Sequence, residues 1–346
     1  MADFLYKKLP TPLKTIFSCL QFPFWALVQL RLWLYRSQVI PSYKSTAKVI
    51  SVGNISLGGT GKSPMVSWLI DYFLSKDQRV AVLTRGYRSG GKECEVKLLK
   101  NGSRNGGATH FGDEPWMLHL RHPDVPIFVG KKRVESVKIA EIDADIILLD
   151  DGFSHLKLKR DLEITLVDST RGFGNGLLLP FGPLREPPSS LVRSDTVILT
   201  KTNQPNKLDL TTEIAQFTRE NTPVFSSIFE PVALMSSKGG EVPLNLLQEK
   251  SCFIASTIAN PASFRETLEG LGAKIEEQLV LPDHQEYGRN EIEKLYDSLK
   301  TGLIFVVSEK DWAKLQENSF ELPEFYWLKM KNQLPPDFTQ FLDEFF

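Results

Sequence analysis

The chain has 346 residues, which is enough for about two domains with ordinary hydrophobic cores. Hydrophobic residues make up 42% of it and charged residues 24%, as in globular proteins, and the formal net charge of −1 argues against a general nucleic-acid-binding protein. Its three widely separated cysteines fit a reducing compartment and provide neither a disulfide framework nor a metal-ligand spacing.

The N-terminal segment is the most apolar part of the chain and is also basic. Residues 1–48 carry seven lysines and arginines against one aspartate, a net charge of +6. Ile16 to Tyr35 is rich in Phe, Trp and Leu, but polar residues such as Gln21 and Arg31 interrupt it, and these are costly inside a bilayer. Aromatic and basic residues favour the membrane interface. We therefore expect residues 1–45 to form a helical segment lying on a membrane surface; a single membrane span and a helix packed on the protein's own core are the alternatives.

A glycine-rich turn follows, between an apolar run and the start of an amphipathic pattern. This layout, from Val49 to Ile70, is that of a phosphate-binding P-loop, although Ser56 stands where the usual spacing has its first glycine. Backbone N–H groups and the positive end of the next helix would hold a phosphate, Lys62 would reach the outer phosphates and the Ser63 hydroxyl would bind Mg²⁺. The predicted nucleotide-binding residues are Ser56, Leu57, Gly58, Gly59, Thr60, Gly61, Lys62 and Ser63.

A glycine-rich turn alone also occurs as a simple tight connection, so a second half-site is needed. The continuous apolar run Ala144 to Leu149 ends in Asp150 and Asp151. A carboxylate at a strand end next to a P-loop typically holds Mg²⁺ directly or through water. We therefore predict Ser63 and one or both of these aspartates as magnesium ligands.

Strand and helix patterns alternate along the rest of the chain. Such alternation indicates a mainly parallel sheet covered by helices on both faces. We therefore predict an α/β fold of the P-loop NTPase type over residues 46–235 and a smaller C-terminal α/β domain over 236–346, with no internal repeat. The predicted strands are Val49–Val52, Val80–Leu83, Val125–Val129, Ala144–Leu149, Leu162–Val167, Thr196–Thr200, Cys252–Ala255 and Leu303–Val307.

Two further segments carry unusual residues. Gly172 to Pro188 is too rich in glycine and proline for regular structure, and long irregular loops in compact domains are usually functional. Asp113 and Glu114 enter a helical pattern, where adjacent acids by themselves indicate only N-terminal helix capping.

Several motifs together resemble one family, the tetraacyldisaccharide 4'-kinases, which are the lipid A 4'-kinases of Gram-negative envelope synthesis. The resemblance covers nearly the whole chain. It rests on GNISLGGTGKSP (53–64), TRGY (84–87), GDEP (112–115), GKKR (130–133), DDGFSH (150–155) with LKLKRDLEI (156–164), GNGLLLPFGPLREP (174–187), PDH (282–284) and SEKD (308–311). Ser56 is less unexpected in this light, because the family commonly has a non-standard loop.

The resemblance implies ATP-dependent phosphorylation of the 4'-hydroxyl of a tetraacyl glucosamine disaccharide 1-phosphate, with Mg²⁺ as the metal. It implies a lipid-linked substrate, peripheral or monotopic attachment to the cytoplasmic face of the inner membrane, and no obligate protein partner. It also implies that Asp113 accepts the proton of the sugar hydroxyl and that His284 supports it. The chain departs from the family at Gln285, where a second histidine is common, at Ser154, where glutamine is usual, and in the less glycine-rich loop 256–261.

Phosphoryl transfer asks the protein mainly to position groups and to neutralise charge. We expect Arg133 or Arg185 to offset charge on the moving phosphoryl group, and Glu114 and His155 to position substrate or neighbouring groups. Two rival functions stay open from the residues alone. One is a soluble P-loop kinase or ligase for a small metabolite, and the other is a nucleotide-switched, membrane-bound interaction protein in which Asp113 is only a helix cap.

Overall fold

The structure is a computed structural model that describes residues 21–86, 96–100, 107–204, 206–258, 260–282, 285, 287–299, 302–316 and 324–346. His284 and the first part of the predicted N-terminal segment lie outside these residues.

Strands and helices alternate along the described ranges. The strands are β1 (Lys48–Gly53), β2 (Val80–Thr84), β3 (Lys97–Leu99), β4 (Ile127–Val129), β5 (Ile146–Asp150), β6 (Leu162–Asp168), β7 (Thr196–Thr200), β8 (Val224–Ser226), β9 (Ile228–Ser236), β10 (Glu241–Val242), β11 (Ser251–Ser256), β12 (Lys274–Val280), β13 (Ile304–Ser308) and β14 (Tyr326–Gln333). The α-helices are α1 (Phe22–Arg36), α2 (Lys62–Ser75), α3 (Gly107–Phe111), α4 (Asp113–Arg121), α5 (Arg133–Ala140), α6 (Thr211–Ala215), α7 (Pro261–Gly270), α8 (Arg289–Leu299), α9 (Glu309–Leu315) and α10 (Pro336–Phe345). Short 3-10 helices cover Pro188–Arg193 and Leu244–Leu247.

The chain divides into two compact units that interleave along the sequence. Unit 1 contains the residues up to Arg85, Gly130–Phe229 and Asn332–Phe346. Unit 2 contains Gly86–Val129 and Glu230–Lys331.

Unit 1 is built on parallel strands in the order β2-β5-β1-β6-β7-β8. Strands β2, β5, β6 and β7 are buried along their whole length, because helices cover the sheet, and their sequences are accordingly mainly apolar, although β6 also buries Glu163 and Thr165. Helix α2 packs on β1, β2 and β5, and α10 reaches the same layer through Phe338, whose ring lies 5.4 Å from that of Trp68. The order puts the carboxyl ends of β1 and β5 side by side.

Unit 2 contains a sheet in the order β10-β9-β14-β13-β11-β12, in which β11 to β14 run parallel and β9 and β10 form an antiparallel hairpin. It also contains the antiparallel pair β3 and β4. Helix α7 packs on β12, and α9 packs on β13 and on α4. Mainly parallel sheets flanked by helices, with a smaller second α/β unit, confirm the predicted fold class.

Helix α1 begins at Phe22 and ends at Arg36, inside the predicted N-terminal segment, and none of its residues is buried. Across the described ranges, every helix is too short or too polar to cross a membrane.

Candidate active site

The predicted P-loop connects the end of β1 to the start of α2 in unit 1. Gly58 (φ +111°) and Gly61 (φ +86°) adopt left-handed backbone conformations that favour glycine. Gly53 is required for another reason, since a Cβ there would lie 2.5 Å from the backbone nitrogen of Phe153. The loop therefore has the tight, glycine-dependent course that exposes backbone N–H groups to a phosphate.

The irregular loop over 172–188 lies directly on the P-loop. The Leu57 amide donates to the carbonyl of Pro183 at 2.7 Å, and the Arg185 amide donates to the carbonyl of Ile55 at 2.7 Å. Ser56, at the position that departs from the usual spacing, forms an antiparallel bridge with Leu184. A glycine is thus unnecessary at position 56, because this part of the loop is extended and paired.

Asp151 is the charge centre beside the P-loop. The Arg185 guanidinium donates to both of its oxygens, at 2.9 and 2.8 Å, and the Lys62 ammonium lies 3.6 Å from Oδ1. Burial alone would raise the pKa of Asp151, but the hydrogen bonds from Arg185 and the charge of Lys62 outweigh it and hold the pKa well below its usual value. Asp151 is therefore an ionised group at neutral pH.

Asp150 lies opposite Val52 in the register of β1 and β5, so its side chain is next to the start of the P-loop. It is 7% exposed, and Thr84 Oγ1 donates to its Oδ2 at 3.0 Å. Together with the Ser63 hydroxyl it provides hard oxygen donors, which fit Mg²⁺. Among the described residues, no three acidic, histidine or cysteine side chains cluster.

Arg133 holds the backbone of this strand end. Its buried guanidinium donates to the carbonyls of Asp150 and Asp151, at 2.7 and 3.0 Å. Burial lowers the pKa of Arg133, and the charges of these two aspartates oppose that effect. In this geometry Arg133 fixes the two aspartates through their main chain, and its predicted role on the moving phosphoryl group stays a prediction.

His155 ends the DDGFSH segment and lies among cations. Its Nε2 is buried and has no hydrogen-bond partner among the described residues. Burial, with the charges of Arg133 and Arg160 added, lowers the pKa of His155 to about 3. A neutral imidazole at pH 7 fits the predicted positioning role and would be a poor proton acceptor.

Asp113 lies in unit 2, in the first turn of α4, with its side chain 15% exposed. The ammonium groups of Lys314 and Lys310 are 3.4 and 3.6 Å from its Oδ2. Glu114, the next residue, is exposed. Asp113 is therefore held against two basic side chains, whereas a simple helix cap needs only the helix N-terminus.

Comparison with known proteins identifies the family of this chain. The model of the family described as tetraacyldisaccharide-1-P 4'-kinase matches residues 13–346. The chain belongs to this family.

Named relatives agree with the family match. Tetraacyldisaccharide 4'-kinase of Syntrophotalea carbinolica is 37% identical over 306 residues, which cover 87% of this chain and 83% of the relative. The enzyme of the same name from Syntrophus aciditrophicus is 37% identical over 304 residues, 83% of this chain and 80% of the relative. A crystal structure of "apo" form LpxK from Aquifex aeolicus in complex with ATP superposes with a TM-score of 0.80 at 28% identity, covering 96% and 99% of the two chains. The resemblance seen in the motifs is confirmed.

In this 4'-kinase family member, several residues of the site escaped prediction from sequence. Asn54 is fully buried and accepts hydrogen bonds from Arg185 and, at 3.4 Å, from Lys62. Lys201 donates to the carbonyl of Gly59 in the P-loop at 3.0 Å. Lys314 contacts Asp113 in unit 2. Only Lys314 had a signal, because it lies four residues after Lys310 of the SEKD motif and so on the same side of α9.

Proposed function

We propose that this protein transfers the γ-phosphate of ATP to the 4'-hydroxyl of a tetraacyl glucosamine disaccharide 1-phosphate. The observation that carries the proposal is the P-loop lysine held 3.6 Å from the strand-end carboxylate Asp151, in a chain that matches the 4'-kinase family over residues 13–346. Relatives named for this reaction and a structural neighbour in complex with ATP support it.

Unit 1 supplies the nucleotide half of the reaction. The backbone of Gly58 to Gly61 and the Lys62 ammonium bind the phosphates, and Arg185 is placed by Asp151 to offset charge on the moving phosphoryl group. Ser63 and Asp150, with or without Asp151, would hold Mg²⁺, which neutralises phosphate charge when bound. Lys62 and Arg185 both contact Asn54 and Asp151, so the same two residues hold both cations beside the P-loop.

Unit 2 supplies the acceptor half. A sugar hydroxyl is a weak nucleophile, so a base must take its proton as the new bond forms. Asp113 is the carboxylate we assign to this step, with Glu114 beside it on the exposed side of α4. His284, outside the described residues, is assigned to support Asp113.

The test is transfer of labelled γ-phosphate to the detergent-dispersed disaccharide by the wild type, Lys62→Ala and Asp113→Ala. Asp337→Ala is the matched control for Asp113, since Asp337 also lies in the first turn of a helix but is exposed. We expect both site variants to lose transfer and the control to keep it. ATP binding without lipid phosphorylation by the wild type would contradict the proposal and favour the small-metabolite kinase or the nucleotide switch.

We further propose that α1 attaches the enzyme to the cytoplasmic face of the inner membrane. Helix α1 is tied to the rest of unit 1, because Gln21, immediately before it, accepts a hydrogen bond from the Leu178 amide at 2.9 Å and Arg31 donates to the carbonyl of Ser154. Leu27 and Trp33 of this helix are nonetheless 64% and 58% exposed. Exposed leucine and tryptophan beside basic residues are typical of helices that lie in a membrane surface.

Co-sedimentation with vesicles of anionic phospholipid tests this attachment. The double variant Leu27→Glu/Trp33→Glu should remain in the supernatant while the wild type sediments. Ile142→Glu is the control, because Ile142 is an even more exposed apolar residue of unit 1, at 73%, and lies outside α1. Equal sedimentation of the double variant and the wild type would contradict attachment through α1.

A further inference from the structure

Lys314 is a buried basic residue whose ammonium group is held by hydrogen bonds. Its side chain is only 5% exposed. The ammonium group donates to Thr257 Oγ1 at 2.8 Å and to the carbonyl of Gln285 at 3.0 Å. Both acceptors are neutral, so they fix the position of the ammonium group without cancelling its charge.

The threonine that holds Lys314 is itself held by a buried carboxylate. Asp311 Oδ1 accepts hydrogen bonds from the Thr257 amide at 2.9 Å, the Thr257 hydroxyl at 2.7 Å and the Tyr287 hydroxyl at 3.0 Å. Its Oδ2 accepts from the hydroxyl of Ser308. These contacts form a relay from Asp311 through Thr257 to Lys314, and they explain why a hydroxyl is needed at position 257.

Lys314 also lies at ion-pair distance from Asp113, and its charge acts on the buried Asp311 as well. An ammonium group has three N–H donors, and the two neutral acceptors use two of them. The nitrogen lies 3.4 Å from Asp113 Oδ2, so its charge acts on that carboxylate across a short, poorly hydrated distance. Burying a cation costs free energy unless an anion is nearby. Asp113 is a carboxylate within ion-pair distance of the Lys314 ammonium group.

We infer that Lys314 is a positioning residue for Asp113: it fixes the direction of the carboxylate and favours its ionised form, with Thr257 setting the position of the lysine. The inference rests on the proposed function, in which Asp113 is the proton acceptor. Lys310, 3.6 Å from the same oxygen and 17% exposed, has a similar charge but a more solvated place. Lys314 is therefore expected to have the larger effect.

Other charged and titratable groups lie on α4, which carries Asp113, and on α3 and α9, which pack against it. They are Lys310 and Asp311 on α9, Glu114, His119 and Arg121 on α4, Glu309 paired with Arg121, and His110 on α3. A change at one position must therefore be compared with a neutral change elsewhere in unit 2. Lys294→Met serves, because Lys294 is an exposed lysine of α8.

The decisive measurement is the titration of the Asp113 carboxyl carbon by ¹³C NMR, assigned with Asp113→Asn, in full-length wild type, Lys314→Met and Lys294→Met. Removing a cation next to a carboxylate disfavours the ionised form, so the midpoint should rise by about one pH unit in Lys314→Met. It should stay at the wild-type value in Lys294→Met. Equal midpoints in wild type and Lys314→Met would overturn the inference.

Kinetics test the positioning itself. We expect Lys314→Met to lower kcat about tenfold to a hundredfold, because small displacements of a general base are costly, while KM for ATP stays within about twofold. Thr257→Val keeps the lysine charge but removes its anchor, and should lower kcat about threefold to tenfold. If Lys314→Met does not fold, Thr257→Val decides: a wild-type kcat in that variant overturns the inference.

The two proposals fail separately. A wild type that transfers no phosphate to the lipid disaccharide contradicts the proposed function, whatever Lys314 does. A wild type that transfers phosphate, with Asp113→Asn inactive and Lys314→Met at the wild-type rate, contradicts only the role of Lys314.

Discussion

Asp151 in unit 1 and Asp113 in unit 2 each face two basic side chains, but the two arrangements differ in kind. Asp151 receives a guanidinium fork, with one Arg185 nitrogen on each oxygen at 2.8 and 2.9 Å. Asp113 faces two ammonium groups, both on the same oxygen and at 3.4 and 3.6 Å. A fork fixes both oxygens of a carboxylate, whereas ammonium groups act as point charges.

The difference fits two kinds of chemistry. A carboxylate whose pKa is held well below its usual value, as that of Asp151 is, stays a fixed negative charge and is a weak base. Such a charge is useful next to phosphate and metal. The ammonium groups beside Asp113 act on its carboxylate as point charges at longer distances than the guanidinium of Arg185 acts on Asp151. The two carboxylates thus suggest a division of roles that substitutions can test.

The largest effect is expected at Lys62, one of the two basic residues that face Asp151. Lys62→Ala removes a charge aimed at the phosphates and should lower kcat/KM about a thousandfold. Lys76→Ala is the control, because Lys76 immediately follows the same helix, α2, and pairs with Asp343 at the surface. Surface ion pairs contribute about 1 kcal/mol or less to stability. Steady-state transfer assays measure both, and a Lys62→Ala enzyme with a tenth or more of wild-type activity would contradict the assignment.

Arg185→Lys tests whether the two-point hydrogen bonding of Arg185 to Asp151 matters in addition to its positive charge. Lysine keeps the positive charge but cannot bind two oxygens in parallel, so we expect kcat to fall about tenfold to a hundredfold. Arg79→Lys is the matched control, because Arg79 makes the same two-point contact with Asp145 on the surface. If Arg185→Lys were as active as Arg79→Lys, charge alone would explain the Asp151 arrangement.

Lys201 extends the comparison to a third ion pair, which it forms with Asp168, and it also contacts the backbone of the P-loop. Its ammonium lies 2.5 Å from Asp168 and donates to the carbonyl of Gly59 at 3.0 Å. Lys201→Met should loosen the loop and raise KM for ATP about threefold to tenfold with little change in kcat, since the reacting groups are untouched. Lys207→Met, at an exposed position, is the control. A change in kcat at constant KM would instead mean that Lys201 acts on the chemical step.

The central strands of unit 1 could be predicted because burial on both faces makes them continuous apolar runs. Strand β12 was missed for the opposite reason, since Lys274–Val280 lies at a sheet edge and carries charged residues on its exposed side. The weak pattern after Phe229 proved to be β9 and β10, a hairpin whose turn contains Gly239 and Gly240. Edge strands leave little hydrophobic signal, so tertiary pairing decides them.

The candidate site divides in the same way. The P-loop residues form one contiguous motif, and the strand that ends in Asp150 and Asp151 forms another, so the sequence indicates each of them directly. Asp113 carried only a capping signal until the family resemblance assigned it a role. The contact between Thr257 and Lys314 joins residues that are far apart in the chain. A threonine or a lysine does not by itself indicate a functional site. Predicting them requires the packing of α9 on β13, which the pattern of residues does not contain.

The smallest effect is expected at His155, which lies among cations and whose buried Nε2 has no hydrogen-bond partner in the described part of the chain. Its pKa is about 3 in the folded protein, below the ordinary value of about 6.5, so the unfolded chain binds more protons between these values. The contribution of His155 to stability is therefore complete above about pH 6.5 and is lost as the pH falls toward 3. His155→Gln removes this dependence, so wild type should lose stability relative to the variant between pH 7.5 and 5 in urea unfolding. His110→Gln, at an exposed position, should follow the wild type. Parallel pH curves for wild type and His155→Gln would mean that His155 is as easily protonated in the folded protein as in the unfolded chain, and that burial and the surrounding cations do not lower its pKa.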